Sequence, residues 1–378
     1  MLSGDAQTFG TKVWASRVLV HRTDPERLVG LLSLADVDHL LTETAIRAPM
    51  VRVARDGSVL PDSTFVRTGV TVAGKPLTGL IDPRKLLALH DDGATVVLQA
   101  LQRYWPPLNE LASGLELELG HPVQANAYLT PPGSQGFAVH SDSHDVFVFQ
   151  THGTKLWEVH HPDGERPCEQ HPDCRVDDVL MEPGVSMYLP TGTPHAARAQ
   201  DDASLHVTVG INQRTWTDLL KGVVEPLLDE VGAGHLPAGS LDLTEELAGG
   251  LADRLEDLAD AVRRVDAAGA VARDRDRFLR TRNPRAVGGL LARSVARELT
   301  AQTPLRRRAG VPCVVRARGD RLELLLGDRS LDVPAWLAPA IDELRPGREF
   351  RPGDLPLSDE SAVVLCRRLL REGLLEPA

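Results

Sequence analysis

The pattern of apolar and polar residues changes near residue 212, with strand-like runs before it and helical periodicity after it. Valine and phenylalanine fill positions 146–149, which is typical of a buried strand. Between residues 104 and 120 the apolar positions lie three and four residues apart, which predicts a helix packed on the strands through one face: Leu108, Leu111, Leu115 and Leu119. The run 123–129 predicts another strand.

Beyond residue 212 the periodicity predicts three helices, at residues 216–231, 244–265 and 270–300, the last broken near Asn283 and Pro284. A Gly319-Asp320 turn then joins two predicted strands, and helices follow at 334–345 and 359–373. These changes of character predict three domains: 1–212, 213–304 and 305–378.

Two polar side chains precede the buried run, and their spacing points to a shared ligand. His140 and Asp142 are two residues apart, so on an extended segment both side chains project from the same face. His195 follows a turn-rich stretch and offers a third donor. Two histidines and one carboxylate with open positions opposite form the facial triad of non-haem Fe(II) oxygenases. The sequence therefore predicts a metal site at His140, Asp142 and His195.

Other interpretations of these polar residues stay open from the sequence. A His-x-Asp pair also occurs on surface strands, where both side chains are solvated. His144 shares a face with Asp142 and is an alternative ligand. His206 lies on a late strand, where a role in the pocket and a purely structural role fit equally. Cys168 and Cys174 lie among histidines and allow a zinc knuckle, but five residues lie between them in a proline-rich run.

Four features together resemble the JmjC-type 2-oxoglutarate oxygenases, and within them the ribosomal oxygenase group. They are the His140 and Asp142 pair, the Val-Phe-Val-Phe-Gln run at 146–150, the Gly-Thr-Lys-Leu-Trp run at 153–157, and Pro194-His195. The resemblance implies a mixed α+β fold with a double-stranded β-helix (cupin) core, a helical dimerisation domain and a C-terminal winged helix. It also implies Fe(II) and 2-oxoglutarate as cofactors.

The resemblance also assigns cofactor residues by their distance from His140. Asn126 and Tyr128 lie 14 and 12 residues before it, where the group has an Asn and a Tyr lining the 2-oxoglutarate pocket. Lys155 lies 15 residues after it, where histidine-hydroxylating members carry the lysine that anchors the distal carboxylate. The alternatives are strand-end hydrogen bonding for the first two residues and a solvated strand lysine for the third.

Composition and charge bear on the cellular compartment of the protein and on its possible nucleic-acid partners. No apolar run approaches the roughly 20 residues that a membrane span needs, and the first residues predict no signal peptide. Four cysteines in 378 residues argue against a disulfide framework and predict a cytoplasmic protein. The net charge of −11 disfavours bulk nucleic-acid binding. The region 305–378 is near neutral, with 13 arginines against 12 acidic residues, so DNA binding is not predicted for it.

These observations predict an Fe(II)- and 2-oxoglutarate-dependent protein hydroxylase that acts on a histidine or arginine side chain of a ribosomal protein. A homodimer is expected from the resemblance. The alternatives are an oxygenase that modifies another peptide, such as a precursor peptide, and a metal-binding cupin that has lost catalysis and acts as a regulator.

Overall fold

The computed structural model describes residues 4–55, 57–134, 138–161, 175–282 and 289–378, and for His161 and Arg175 it describes the backbone only. The chain divides into two compact units, Met1–Gln213 and Arg214–Ala378. The boundary lies one residue beyond the end predicted for the first domain. A further division of the second unit near residue 304 stays a prediction.

Fourteen strands are described in the first unit: β1 (Leu19–Arg22), β2 (Val51–Arg55), β3 (Ser58–Val59), β4 (Thr71–Val72), β5 (Lys75–Pro76), β6 (Thr95–Leu98), β7 (Val123–Thr130), β8 (His140–Ser141), β9 (Asp145–His152), β10 (Lys155–His161), β11 (Arg175–Met181), β12 (Val185–Leu189), β13 (Pro194–Ala199) and β14 (Ser204–Ile211). Its helices are α1 (Ala6–Thr8), which continues into a π-helical turn (Phe9–Val13), α2 (Pro25–Val29), α3 (Leu34–Thr42), α4 (Pro83–Asp91) and α5 (Pro106–Leu119).

Two antiparallel sheets form the core of this unit. The larger has eight strands in the order β1-β12-β9-β14-β7-β6-β2-β3, and the smaller has four in the order β11-β10-β13-β8. Valines of β9 contact the smaller sheet's Trp157 and Val159, whereas Phe147 and Phe149 lie in the main apolar cluster. Apolar contacts on both faces explain why the run 146–149 within β9 is apolar without interruption. The buried strand predicted at 146–149 is confirmed.

The turn between β9 and β10 depends on a glycine. Gly153 has φ +61°, and a Cβ atom at this position would overlap the carbonyl oxygen of Ala203. Only glycine combines this backbone conformation with so close an approach. Gln150 secures the same turn, because its Nε2 donates to the carbonyl oxygens of His152 and Gly153 and to Ser204 Oγ. The turn sets the start of β10, on which Lys155 and Trp157 lie.

The second unit begins with four helices: α6 (Trp216–Val231), α7 (Thr244–Arg263), α8 (Ala267–Arg280) and α9 (Gly289–Glu298). Six strands and two further helices follow: β15 (Leu305–Arg307), β16 (Val314–Arg318), β17 (Arg321–Leu325), β18 (Ser330–Pro334), α10 (Ala338–Asp342), β19 (Glu349–Phe350), α11 (Asp359–Arg371) and β20 (Leu375–Pro377). They enclose an apolar cluster that includes Leu324, Ala340, Leu365 and Leu369.

Most predicted elements of this unit are present, with one correction. The helix predicted at 334–345 is a 3-10 turn (Ala335–Leu337) followed by the short α10, because Pro339 lies in its first turn and Pro346-Gly347 follows its end. The winged-helix and dimerisation assignments stay predictions. Asn283 and Pro284, where a helix break was predicted, lie outside the described residues, as do Cys168, His171 and Cys174 of the possible zinc knuckle. No helix within the described ranges is long and apolar enough to span a lipid bilayer.

Candidate metal centre and its cavity

Strand pairing brings the predicted ligands together. β8 pairs with β13 in antiparallel register, so that His195 lies directly opposite His140. Asp142 follows β8, and its carbonyl oxygen accepts a hydrogen bond from the backbone nitrogen of Gly192, 2.9 Å away. This bond joins the segment that carries Asp142 to the turn that precedes His195. Ligands distant in sequence therefore meet through backbone pairing.

The three side chains have the geometry of a metal site. One donor atom from each of His140, Asp142 and His195 lies within 4.8 Å of the other two. His195 Nε2 is 3.8 Å from Asp142 Oδ2, and the two imidazole centroids are 4.5 Å apart. His195 is buried whereas His140 is exposed, so the cluster lies at the mouth of the cavity described below. Among the described residues this is the one group with metal-ligand geometry.

Both histidines are oriented by the same hydrogen bond. His140 Nδ1 donates to the carbonyl oxygen of Ala138, and His195 Nδ1 donates to that of Thr193, each at 2.9 Å. A histidine that donates from Nδ1 keeps a lone pair on Nε2, which is the form that binds a metal. Burial, as the main cause, lowers the pKa of His195 and favours its neutral form. The donor set thus suits a divalent cation.

The alternative ligand His144 is not part of this cluster. Its ring lies against Gly210 on β14, in the space that a side chain at position 210 would need. The group with metal-ligand geometry contains His140 instead.

A cavity of about 260 Å³ extends inward from the ligands. Side chains from both sheets line it: Arg52, Thr95, Tyr128, His140, Asp142, Val146, Lys155, Trp157, His195, Ala197, His206 and Thr208. Five of the six predicted site residues are in this set; Asn126 is not.

Lys155 places a cation in the interior of the barrel. Its side chain is 3% exposed, and its Nζ donates to Thr130 Oγ1 at 2.9 Å. No ion pair to Lys155 is present in the described part of the chain. Burial alone lowers the pKa of Lys155 to about 7. A buried ammonium group with one hydroxyl partner fits an anionic ligand, because a carboxylate would supply the missing charge.

Tyr128 and Asn126 project from the same face of β7 but have different contacts. The Tyr128 ring stacks on His206 with centroids 4.9 Å apart, and burial raises the pKa of its phenol. The Asn126 Oδ1 accepts a hydrogen bond from the backbone nitrogen of Ala100 at 3.0 Å. Ala100 precedes a 3-10 turn and has φ +55°. A structural role for Asn126 is therefore visible, and its contact with a cofactor stays a prediction.

Trp157 and His206 form the aromatic wall behind the ligands. Trp157 stacks on His195 at 5.6 Å and meets His206 edge-on at 5.4 Å. Burial, followed by the nearby Lys155 and His195, lowers the pKa of His206 well below its usual value, which favours its neutral form. Within the described residues, Trp157 Nε1 and His206 Nδ1 are buried without a hydrogen-bond partner.

Sequence reasoning missed four polar residues of the cavity region. Thr130 lies two positions after Tyr128, and Thr208 two positions after His206, so strand alternation could have identified both. Thr95 donates to Thr130 across the sheet at 3.1 Å. Arg52 lies on a strand that is distant in sequence. Its position between Val51 and Val53 is the signal that could have indicated a charged side chain at a buried site.

A further buried residue, Asp145, organises the turn before His195. It is fully buried, and its Oδ1 accepts from the backbone nitrogen and the hydroxyl of Thr191, at 2.7 and 2.8 Å. Its Oδ2 accepts from Tyr188 and from Gln213. One carboxylate therefore joins the start of β9, the end of β12 and the segment 190–193. Because Asp142 and His195 flank this network in the sequence, we expect Asp145 to hold both side chains in position.

Replacement of Lys155 by methionine should change how the free energy of unfolding depends on pH. Between pH 7 and 10.5 the unfolded chain holds a proton that folded Lys155 has lost, so the stability of the wild type rises with pH in this window. We expect Lys155→Met to be more stable than wild type near pH 7, by roughly 3–5 kcal/mol, and this advantage to disappear towards pH 10. Denaturant unfolding across this range measures it. Lys85→Met, on the solvent side of α4, is the control, and its free energy of unfolding should differ from that of the wild type by the same amount at every pH. The same pH-independent difference for Lys155→Met would contradict the account.

Replacement of Asp145 by asparagine should weaken metal binding. Asparagine keeps the shape but presents one amide group to the donors of Tyr188 and Gln213, which should loosen the turn that carries His195. We expect Co(II) affinity to fall about 10- to 100-fold, as for other groups that orient metal ligands. Tyr188→Phe is the control: it removes one hydrogen bond to the same carboxylate and should cost about 1 kcal/mol of stability with near-normal Co(II) affinity. Equal affinities for the two variants would show that Asp145 has no positioning role.

Comparison with known proteins identifies the domain that carries this site. Residues 102–219 match the family model described as the JmjC domain. Ribosomal oxygenase 1 of Homo sapiens is 31% identical over 229 residues, which cover 57% of this chain and 34% of that protein. The bifunctional lysine-specific demethylase and histidyl-hydroxylase NO66 of Culex quinquefasciatus is 29% identical over 241 residues, 60% of this chain and 36% of that protein. The chain matches only about a third of the length of these relatives.

Solved structures agree on the fold. The Escherichia coli ribosomal oxygenase YcfD aligns over 100% of this chain and 99% of its own, with a TM-score of 0.53 and 17% sequence identity. A second YcfD structure, in complex with cobalt and 2-oxoglutarate, aligns with a TM-score of 0.50. At this identity the likeness shows the fold alone. Residues 102–219 therefore match a JmjC domain, and the chain has the JmjC/cupin type of mixed α and β fold and is similar to proteins named ribosomal oxygenases.

Proposed function

We propose that this chain is an Fe(II)- and 2-oxoglutarate-dependent protein hydroxylase. One observation carries the proposal: a cluster of two histidines and one carboxylate shares a small cavity with a buried lysine. Each element alone has a structural explanation. Together they supply a metal site with an open face and a fixed cation within the same enclosed space.

His140, Asp142 and His195 would hold the iron. Their donors converge from one side, so the remaining coordination positions face the cavity. Bound Fe(II) together with 2-oxoglutarate supplies the activation of O₂ for insertion of oxygen into a C–H bond. The protein orients both Nε2 atoms through the carbonyl oxygens of Ala138 and Thr193. The aromatic wall formed by Trp157 and His206 would limit the access of water to the site.

Lys155 would bind the distal carboxylate of 2-oxoglutarate. It lies four residues along β10 from Val159, which pairs with His195, so the two ends of the cavity are about 13 Å apart along the strand. The lysine side chain and a five-carbon dicarboxylate together span such a distance. Thr130 orients the ammonium group, and Tyr128 lines the space between. Asn126 is proposed as a further cofactor residue from the resemblance alone.

The proposed substrate is a histidine or arginine side chain of a ribosomal protein. The names of the relatives support this proposal, since one group is named ribosomal oxygenase and the other includes histidyl-hydroxylase. A lysine at position 155 favours the histidine-hydroxylating side of the group. Another peptide, including a precursor peptide, is the alternative substrate.

We also propose that the chain forms a homodimer through its helices. On α7 the exposed side chains Leu251, Leu255 and Val262 lie on one face, with 43–57% of their surface accessible. On α6, Trp216 is 79% exposed and Leu220 is 58% exposed. Apolar surface of this extent on neighbouring helices favours burial against a second copy.

Charge reversal on α7 tests the dimer. Sedimentation equilibrium should give a dimer for the wild type at micromolar concentration. Leu251→Glu combined with Leu255→Glu should raise the dissociation constant at least about 100-fold, because buried unpaired charges oppose association. Leu236→Glu, at an exposed site outside these helices, should leave the dimer intact. A monomeric wild type would contradict the proposal.

We propose no nucleic-acid partner and a cytoplasmic location. Arginines of the C-terminal region pair with acidic side chains: Arg308 with Glu376, Arg318 with Glu323, and Arg329 with Glu372. Such pairing lowers the positive charge available for DNA binding, and we propose a protein-interaction or structural role for the winged-helix region instead. Cys313 and Cys366 are free thiols, which suits a reducing compartment.

An anaerobic titration tests the proposed function directly. Wild-type protein should develop a visible charge-transfer band when Fe(II) and then 2-oxoglutarate are added, and should form succinate when O₂ is admitted. His140→Ala should lose the band because iron is not held. Lys155→Ala should require at least about 100-fold more 2-oxoglutarate, since its anchor is gone. Lys85→Ala is the matched lysine control and should behave as wild type.

Absence of the charge-transfer band would argue against the proposed function. A folded, iron-loaded wild type without the band would remove the oxygenase proposal and favour a metal-binding protein without catalysis.

A further inference from the structure

His144 adjoins the candidate metal ligands, and the proposed chemistry does not use it. On an unbroken strand its side chain would project from the same face as Asp142. The chain instead bends at Ser143 and His144 before β9 begins, and the imidazole lies against Gly210. Because a neutral imidazole binds divalent metals, a histidine two residues from a ligand is a potential fourth ligand. Its seat on β14 keeps it out of the cluster.

Gly210 lies on the face of β14 that borders the cavity. His206 and Thr208, which precede it by four and two residues, line the cavity, and strand alternation puts position 210 on the same face. On the neighbouring strand β9, Gly210 pairs with Val146, which also lines the cavity. The imidazole that rests on Gly210 is therefore at the border of the cavity, within the same layer as its lining side chains.

The absence of a side chain at position 210 admits the ring. A Cβ atom on Gly210 would lie within 2.5 Å of His144 Cδ2 and closer still to Nε2, and 3.3 Å from Gln124 Cγ. The backbone of Gly210 has ordinary strand geometry, so alanine is compatible with the strand itself. The overlap falls on the end of a side chain that can rotate. Alanine at position 210 should therefore displace the imidazole and leave β14 in place.

A displaced imidazole would have the metal within reach. In an extended segment, residues two positions apart are separated by about 7 Å, so His144 and Asp142 can direct their side chains to one point. In the proposed function the two histidines and the carboxylate leave coordination positions open. Metal sites with four protein ligands are closed and structural, whereas catalytic sites keep an open position. A fourth ligand from His144 would occupy a position that 2-oxoglutarate or O₂ needs.

We propose that Gly210 keeps the metal centre open by holding His144 away from it. Gly210 is a positioning residue that acts through His144 and does not itself contact the metal. The inference rests on the proposed function, because an open coordination face matters only where other ligands must bind. It gives a role to the one residue of the cavity face of β14 that has no side chain.

Co(II) titration of the full-length protein without 2-oxoglutarate tests the inference. The proteins compared are wild type, Gly210→Ala, His144→Ala and the Gly210→Ala, His144→Ala double variant. Gly114→Ala is the matched control, since a Cβ atom at this position in α5 would meet no other atom within 4 Å. Visible absorption gives the affinity and the coordination geometry of Co(II). Pulsed EPR of the Cu(II)-loaded proteins counts the imidazole ligands.

We expect Gly210→Ala to bind Co(II) more tightly than wild type. Loss of a group that only orients a ligand changes affinity about 10- to 100-fold, so a directly bound imidazole should raise it at least about 10-fold. Gly210→Ala should show three imidazole ligands where wild type shows two, and should need at least about 10-fold more 2-oxoglutarate to form the charge-transfer band with Fe(II). The double variant should return to wild-type affinity and ligand number. Gly114→Ala should behave as wild type.

A packing role alone would give the opposite sign. Weaker Co(II) binding by Gly210→Ala that the added His144→Ala change does not restore would overturn the inference. Two imidazole ligands and unchanged affinity in Gly210→Ala would overturn it as well, because the displaced ring would then have turned to solvent. Failure of the proposed function has a separate signature: Co(II) affinity of the wild type would be unchanged by His140→Ala, and the metal site itself would be wrong.

Discussion

The antiparallel pairing of β8 with β13 is the interaction on which the site depends. It sets His195 opposite His140, and the backbone bond between Gly192 and Asp142 adds the third ligand. Side-chain hydrogen bonds then fix what the backbone has brought together. Each imidazole donates to a carbonyl oxygen two residues before it, so the direction of Nε2 follows from local backbone geometry.

Burial of charged side chains inside an apolar barrel is unfavourable unless hydrogen bonds or ion pairs compensate. The two buried charged side chains near the site, Asp145 and Lys155, differ in how well the chain itself compensates them. Asp145 is fully buried, yet four hydrogen bonds satisfy its carboxylate. Lys155 is almost as buried and has one hydroxyl partner. The first arrangement stabilises the fold around the ligands. The second is poorly satisfied within the chain itself, which is the expected condition of a group that binds a ligand.

Local sequence patterns were sufficient for the residues that act through spacing. His140 and Asp142 converge because strand side chains alternate, whereas Lys155 was assigned through the family resemblance, by its distance from His140. The contacts of Asn126 and Arg52 were not accessible in this way. Asn126 contacts the left-handed Ala100, and Arg52 reaches the cavity through a strand pairing that spans many residues of sequence. Asp145 adjoins the predicted motif, but its function depends on Tyr188 and Gln213. Proline positions were the local signal that should have shortened the helix predicted at 334–345.

The central claim is that one metal ion and one dicarboxylate occupy the same cavity. A crystal structure of the protein with Mn(II) and 2-oxoglutarate, with anomalous diffraction from manganese, tests it most directly. The account predicts one strong anomalous peak within bonding distance of His140 Nε2, His195 Nε2 and Asp142, and a carboxylate of 2-oxoglutarate against Lys155 Nζ. A peak at His144 or elsewhere, or a cofactor that leaves Lys155 without contact, would contradict it.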